Sequence, residues 1–104
     1  MPAYAIIEIL EIKDNAAYGE YVEKVFSIVE KYRGRYLIRG GTITPLSGNW
    51  DPDRVIVIEF PSLADLRACF GAPEYKKIAP LREASTVSKS IAVEGYPGVV
   101  KHPL

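Results

Sequence analysis

The stretch that decides the fold is residues 54–62, RVIVIEFPS, where a strand is followed directly by the start of a helix. Residues 54–60 are almost entirely apolar and rich in β-branched side chains, which predicts a strand. Pro61 ends it. Ser62, with Asp65 three residues later, resembles a capping box and predicts that a helix begins here.

The chain before this stretch predicts a strand, a helix and a second strand. The first ten residues or so favour a strand, and Asp14 is the expected N-cap of the helix that follows. Gly34 comes after the last helical turn, where a left-handed residue is wanted. A strand begins over residues 35–38, and Gly40-Gly41 is expected to break it with a bulge or a sharp bend.

The chain after residues 54–62 predicts a helix and a last strand. The helix stops at Gly71, Pro73 begins another helical turn, and Pro80 is expected to end or kink it. Alternating residues from 85 to 93 predict the fourth strand. The order strand, helix, strand, strand, helix, strand is that of a ferredoxin-like α+β fold, with a four-stranded antiparallel sheet. We expect one domain over residues 1–95 and an irregular tail over 96–104.

The sheet of such a fold has helices on one face only, so its other face should be polar. Here the first and third strands are apolar on both faces, and leaving that surface in water would be costly. We therefore predict a homodimer that packs two open faces together. The drier face, which suits the helices, holds Ile7, Ile9, Ile56, Ile58 and Phe60. Glu8 and Glu59 are assigned to the space between the sheets, which Arg39 is expected to reach.

Composition excludes several function classes. Thirteen basic and thirteen acidic residues give zero formal charge, so we expect no nucleic-acid or membrane-surface partner. Cys69 is the only cysteine and His102 the only histidine, and His102 lies in the tail. We expect no metal, haem or other cofactor, because the body of the domain offers no histidine ligand. A free thiol and no export signal predict a cytoplasmic protein.

The first group of candidate ligand-binding residues is Arg39, Glu8 and Glu59. In one interpretation Arg39 grips a ligand carboxylate while Glu59 acts as an acid or a base. In the alternative, the three side chains satisfy one another inside the dimer, because buried charges need partners.

The second group is Trp50, Tyr75 and Arg82. Trp50 lies in a loop rich in Gly, Pro and Asp, where an aromatic side chain suits the cap of a pocket or an interface. Tyr75 and Arg82 are seven residues apart and so share one helical face, where they could orient a small planar acid. In the alternative, Tyr75 packs on the sheet and Arg82 pairs with Glu83 or Asp65. Cys69 is expected to be a buried structural thiol.

Several motifs together resemble the family named domain of unknown function 1330. They are residues 39–41 (RGG), 48–50 (GNW), 55–62 (VIVIEFPS) and 72–75 (APEY) with Arg82, within a resemblance over residues 3–95. The resemblance implies a dimeric α+β barrel of two ferredoxin-like subunits and no assigned activity. Similar barrels elsewhere include cofactor-independent monooxygenases, muconolactone isomerase-like enzymes, chlorite dismutase-like haem proteins and dimeric stress-response proteins, an analogy of fold alone.

Two functional hypotheses follow. In the first, the homodimer binds a small acidic or aromatic metabolite between sheet and helices, and any catalysis is cofactor-independent proton transfer or oxygenation. In the second, it is a non-catalytic structural or stress-associated homodimer whose polar residues serve only its architecture. A pocket of about 300 Å³ or more favours the first hypothesis.

Overall fold

Three helices lie on one face of a four-stranded antiparallel sheet in the computed structural model, which describes residues 1–97. Residues 98–104, which include His102 and most of the expected tail, lie outside the described residues. The strand order is β2-β3-β1-β4, which confirms the ferredoxin-like α+β fold. The elements are, in chain order, β1 (Ala3–Ile12), α1 (Asn15–Lys31), β2 (Arg35–Arg39), β3 (Arg54–Phe60), α2 (Leu63–Gly71), α3 (Pro73–Ser85) and β4 (Thr86–Glu94).

Both predicted helix N-caps are confirmed. The Asp14 carboxylate accepts hydrogen bonds from the backbone amides of Ala16 and Ala17, each at 3.1 Å. The Ser62 hydroxyl accepts from the Asp65 amide at 3.1 Å and donates to the Asp65 carboxylate at 2.9 Å. These side chains satisfy backbone donors that the first turn of a helix leaves unpaired.

One local expectation is wrong, and of the two outcomes expected at Pro80 the end of the helix is excluded. The left-handed residue after α1 is Arg33, with φ of 68°, and Gly34 serves close packing instead. A Cβ atom on Gly34 would lie 2.7 Å from Val29 and 2.8 Å from Phe60, too close for any side chain. Pro80 does not end its helix, because α3 continues through it to Ser85.

The core lies between the helices and the face of the sheet that was predicted to be dry. Strand register places Ile7 opposite Ile56 and Ala5 opposite Ile58, and these side chains face α1 and α2. The other face of the sheet, which we call the open face, is covered by no helix formed by residues 1–97. It carries Tyr4, Ile6, Glu8, Val55, Val57, Glu59, Lys89, Ile91 and Val93.

An extra residue in β2 changes which way the end of that strand points. Tyr36 pairs with Ile58, but Ile38 pairs with Val57, so Leu37 is left over as a bulge. Alternation is therefore reversed beyond Leu37, and Arg39 lies opposite Ile56 on the helix face. Gly40, with φ of 76°, turns the chain out of the sheet, which is the sharp bend expected there, and the bulge at Leu37 is a further irregularity three residues earlier.

Residues 40–53, which we call the arm, connect β2 to β3 without regular secondary structure. The arm lies on the open face, where the indole N–H of Trp50 donates a hydrogen bond to the Glu8 carboxylate. Its apolar side chains are poorly covered: Leu46 is 94% exposed and Trp50 is 63% exposed. An apolar segment of this kind calls for another surface to pack against.

Candidate functional site

Two adjoining cavities lie between the sheet and the helices. The narrow one, about 30 Å³, is called the arginine pocket because Arg39, Arg54 and Arg82 all line it. The wider one, about 280 Å³, is called the side cleft and extends toward β4. Ile7, Tyr21, Phe70 and Arg82 line both cavities, so a bound molecule could extend from one to the other.

The three arginines are held by aromatic rings and a hydroxyl. The Arg39 guanidinium lies 5.2 Å from the ring centre of Phe26 and 5.0 Å from that of Tyr36. Arg54 lies 5.7 Å from the ring centre of Tyr18. Arg82 donates a hydrogen bond to the Ser88 hydroxyl at 3.0 Å. Stacking on a ring occupies the face of a guanidinium and leaves its in-plane N–H donors available.

No acidic side chain balances these three charges among residues 1–97. The carboxylates there that form ion pairs do so with other bases: Lys24–Glu20, Lys31–Glu74, Arg33–Asp65, Arg35–Glu59 and Lys89–Glu8. Of the two suggested partners of Arg82, Asp65 is bonded to Arg33 at 2.8 Å, and Glu83 is in none of these five pairs. The arginine pocket therefore has a local excess of positive charge in a chain that is neutral as a whole.

Tyrosine hydroxyls supply the remaining polar groups. The hydroxyls of Tyr21 and Tyr75 are 2.9 Å apart and buried. Burial, and then the neighbouring Tyr75, raise the pKa of Tyr21 far above its usual range. Burial also raises the pKa of Tyr18, and raises that of Tyr36 to about 12. Tyr18, Tyr21 and Tyr36 thus keep their protons at neutral pH, so they can donate hydrogen bonds but cannot act as bases.

Arg39, Glu8 and Glu59 do not meet, which corrects the expectation that they share one space. The bulge at Leu37 turns Arg39 to the helix face, while both carboxylates lie on the open face. Glu8 pairs with Val55, and Glu59 pairs with Tyr4 four residues along β1, so about 13 Å of strand separates them.

Each of these carboxylates has its own partners. Glu59 accepts from the Tyr4 hydroxyl at 3.1 Å and from Arg35 at 2.7 Å. Glu8 accepts from Trp50 and lies 3.4 Å from the ammonium group of Lys89. These contacts link all four strands and the arm across the open face.

The second predicted group is divided in the same way. Tyr75 and Arg82 both line the side cleft, on the face of α3 that looks toward the sheet. Trp50 lies on the opposite side of the sheet. There it lines a groove of about 280 Å³ under the arm, together with Pro45, Leu46 and Val55.

Arg54, Tyr18 and Tyr21 were not predicted as site residues, although the sequence carries a signal for each. Arg54 has the same parity as Ile56 and Ile58, so strand alternation already places it on the helix face. Tyr18 and Tyr21 are three residues apart in α1, and Tyr21 is four residues before Val25, so all three share one helix face.

Cys69 is fully buried, as predicted, and burial raises the pKa of its thiol to about 11. Across residues 1–97, no cluster of three or more histidine, cysteine or carboxylate side chains is arranged to hold a metal ion. Within the same range no helix is both long and apolar enough to cross a bilayer.

Solved structures with the same fold come from several bacteria. A protein of unknown function from Rhodopseudomonas palustris is 20% identical, with a TM-score of 0.75 over 91% of this chain and 82% of that one. A dimeric protein of unknown function with a ferredoxin-like fold, from Bacteroides fragilis, is 13% identical, with a TM-score of 0.58 over 90% and 96%. The cofactor-independent oxygenase SnoaB from Streptomyces nogalater is 11% identical, with a TM-score of 0.58 over 90% and 91%. At these identities the similarity shows a common fold.

Among curated proteins, none matches this sequence. The family described as domain of unknown function (DUF1330) matches residues 2–96, nearly all of the part that the structure describes. The match covers every strand and helix as well as the residues of both cavities. The chain therefore belongs to the DUF1330 family.

Proposed function

We propose that this protein is a homodimer that binds a small organic acid between its sheet and its helices. The observation that carries the proposal is the convergence of Arg39, Arg54 and Arg82 on one cavity without an acidic partner among the described residues. A cluster of like charges is unfavourable by itself, and an anionic ligand relieves it. Guanidinium groups bind carboxylates and related oxyanions through paired N–H donors.

The side cleft supports an apolar or aromatic body on that acid. Its volume of about 280 Å³ lies just below the value of about 300 Å³ that favours ligand binding, and the adjoining arginine pocket adds about 30 Å³. Ala5, Leu66, Phe70 and Ala92 supply much of its lining. Arg82 lines both cavities, so an acid group held by the arginines would place the rest of the ligand against this apolar wall.

The open face supports the homodimer. Ile91 is 62% exposed, Ile38 46% and Val93 42%, and a second copy packed face to face would cover them. The pairs Glu59–Arg35 and Glu8–Lys89 leave this face without uncompensated charge. The dimeric protein from Bacteroides fragilis with the same fold also favours this arrangement.

The described pocket residues favour binding over proton abstraction. A general base must reach the ligand, and Glu59, the base suggested by the sequence, lies on the opposite side of the sheet. The polar lining of the two cavities consists of arginines, tyrosines and Ser90, among which the buried Tyr21 keeps its proton. We therefore assign no catalytic residue, and assign Glu8 and Glu59 to the architecture of the open face.

The ligand half of the proposal is tested with benzoate and its uncharged analogue benzamide. We expect benzoate to raise the melting temperature of the wild-type protein and benzamide to have little effect, because ligands stabilise the state that binds them. Arg82→Met should abolish the benzoate response. Arg67→Met is the matched control, because Arg67 is exposed on α2 and lines neither cavity. A benzoate response that survives Arg82→Met, or no response in the wild type, overturns this half.

The dimer half is tested by light scattering after size-exclusion chromatography. We expect twice the chain mass for the wild type and the single-chain mass for Val93→Asp, which places a charge on the open face opposite Tyr4. Lys77→Asp, on the exposed side of α3, introduces the same residue away from that face and should remain dimeric. A wild type that is monomeric at high micromolar concentration overturns it.

A further inference from the structure

We infer that the acid group bound in the arginine pocket is a doubly charged oxyanion, as in a phosphate or phosphonate ester, rather than a single carboxylate. This inference rests on the proposed function and names the ligand class of the same site. The inference is drawn from the number of guanidinium groups, from the contacts that hold each of them, and from their positions across neighbouring strands of the sheet.

The three arginines come from three separate elements and converge over one row of the sheet. Ile9 pairs with Arg54 on one side and with Ser88 on the other, so those two positions flank it across the sheet. Arg82 reaches down from α3 and donates to Ser88. Neighbouring strands are about 4.8 Å apart, so the Arg54 and Ser88 backbones lie about 10 Å from one another.

Arg39 completes the set from the neighbouring strand. It lies opposite Ile56, the next helix-face position after Arg54 on β3. Arg39 and Arg54 therefore approach the pocket from one side and Arg82 from the other. An anion between them therefore meets guanidinium groups on both sides. A single carboxylate pairs its two oxygens with the N–H donors of one guanidinium group, on one side only.

The contacts that hold the arginines leave most of their donors free. Each guanidinium has five N–H donors. Arg39 and Arg54 are positioned by ring faces, and Arg82 uses a donor on Ser88. The hydroxyl of Tyr18 is a further donor at the same cavity, whereas that of Tyr21 is already bonded to the Tyr75 hydroxyl. A carboxylate has one negative charge and two oxygens, which is too little to balance three guanidinium groups and use their free N–H donors. A phosphate or phosphonate head has three terminal oxygens that share two negative charges, and it matches this site better.

The size of the two cavities fits an ester of such an oxyanion. The arginine pocket, about 30 Å³, is two to three times the volume of about 10–15 Å³ that one water molecule needs, so it suits a compact head group rather than a ring. The side cleft is about nine times larger, since 280 divided by 30 is 9.3. A compact charged head with an apolar substituent uses both spaces, while an inorganic ion would leave the side cleft unused.

The test compares three probes by isothermal titration at pH 8, where phenyl phosphate is doubly charged. Phenyl phosphate and benzoate carry the same ring on different heads, and inorganic phosphate has the head without the ring. We expect phenyl phosphate to bind at least about tenfold more tightly than benzoate, the factor that about 1.4 kcal/mol produces. Arg39→Met should weaken phenyl phosphate binding more than benzoate binding, and so remove most of that difference. Arg67→Met should leave both affinities as in the wild type.

The outcomes separate this inference from the proposed function. Benzoate binding equal to or tighter than phenyl phosphate overturns the doubly charged head and leaves the organic-acid proposal standing. Inorganic phosphate that binds as tightly as phenyl phosphate overturns the ester, because the side cleft then contributes nothing. A wild-type protein that binds none of the three probes overturns the proposed function and this inference together.

Discussion

Arg35 and Arg39 lie on opposite faces of the sheet, although they are four residues apart on one strand and regular alternation would give them the same face. Arg35 lies opposite Glu59 on the open face and pairs with its carboxylate at 2.7 Å. Arg39 lies opposite Ile56 and lines the arginine pocket. The single extra residue Leu37 produces the difference, so one bulge separates a surface ion pair from the arginine pocket.

Deleting both Leu37 and Ile38 is expected to turn Arg39 out of the pocket. Without these two residues, alternation from Tyr36 onward places Arg39 opposite Val57 on the open face, whereas deleting Leu37 alone would leave Arg39 opposite Ile56. Titration with phenyl phosphate should then show an affinity similar to that of Arg39→Met, while the far-ultraviolet circular dichroism spectrum keeps its native shape. Leu37→Ala retains the bulge and should bind as the wild type does. Wild-type affinity in the folded double-deletion variant would mean that the face on which Arg39 lies does not decide binding.

Gly34→Ala is expected to destabilise the protein by about 1–3 kcal/mol, the usual cost of overpacking a core. Its Cβ atom would collide with Val29 and Phe60, both of which are fully buried. Urea denaturation measures the change. Gly19→Ala is the matched control, since nothing lies within 4 Å of the added Cβ, and there α1 should gain up to about 1 kcal/mol. Equal effects at the two positions would contradict the packing argument.

Tyr21→Phe is expected to cost about 1–3 kcal/mol, because it leaves the buried Tyr75 hydroxyl without the partner that lies 2.9 Å away. Tyr75→Phe should have a similar cost for the same reason. The double variant should lose less than the sum of the two single losses, since neither hydroxyl is then left unpaired. Chemical denaturation of the wild type, the two single variants and the double variant gives the free energies of unfolding for this double-mutant cycle. Strictly additive losses would show that the two hydroxyls do not interact.

The Cys69 thiol is expected to resist alkylation in the folded protein. It is completely buried and its pKa is raised to about 11, so almost no thiolate is present near pH 8. Reaction with iodoacetamide followed by mass spectrometry should be slow until guanidinium chloride unfolds the chain. Ala84→Cys in a Cys69→Ser background, at an exposed position of α3, supplies the fast reference rate. Equal rates in the two native proteins would contradict the burial of Cys69.

Stability is expected to fall in acid, partly because of Asp65 and Glu74. Hydrogen bonds from Ser62 and then Arg33 lower the pKa of Asp65, and bonds from Lys31 and then Tyr32 lower that of Glu74. A carboxyl group whose pKa is lower when folded stabilises the protein above its unfolded pKa of about 4, and that contribution disappears as the pH falls through the folded pKa.

Urea denaturation between about pH 2 and pH 6 follows this loss through the linkage of protons to unfolding. Asp65→Asn and Glu74→Gln should each make the decline shallower, because the titrating group is gone. Glu23→Gln, outside the ion pairs of residues 1–97, should keep the wild-type slope. Unchanged slopes in the first two variants would assign acid sensitivity to other groups.

Those parts of the fold that depend on local chemistry could be predicted from the sequence. Asp14 and Ser62 cap the helices that follow them because a short side-chain acceptor needs only neighbouring amides. The dry face of the sheet follows from strict alternation over residues 54–60, which contain no irregularity. The same alternation predicts the face of Arg54, which shows that strand parity locates site residues as well as core residues.

The parts that could not be predicted depend on pairing between distant strands. Residues 35–39 contain no glycine or proline to mark a bulge, so the face of Arg39 is decided by how β2 pairs with β3. Glu8 and Glu59 both lie on the open face, but only the register shows that they are too far apart to interact. Arg33 adopts the left-handed conformation expected of Gly34, because Gly34 is needed for close packing.

The bulge in β2 also limits how copies of this chain can associate. The two edges of the sheet are β2 and β4, and a straight edge strand is a template for edge-to-edge polymerisation into fibres. β2 has only five residues, is interrupted at Leu37 and leaves the sheet at Gly40, so it offers an incoming strand no continuous row of hydrogen-bonding groups. The bulged residue Leu37, which turns Arg39 toward the pocket, thus also makes the β2 edge a poor template for amyloid-like strand addition.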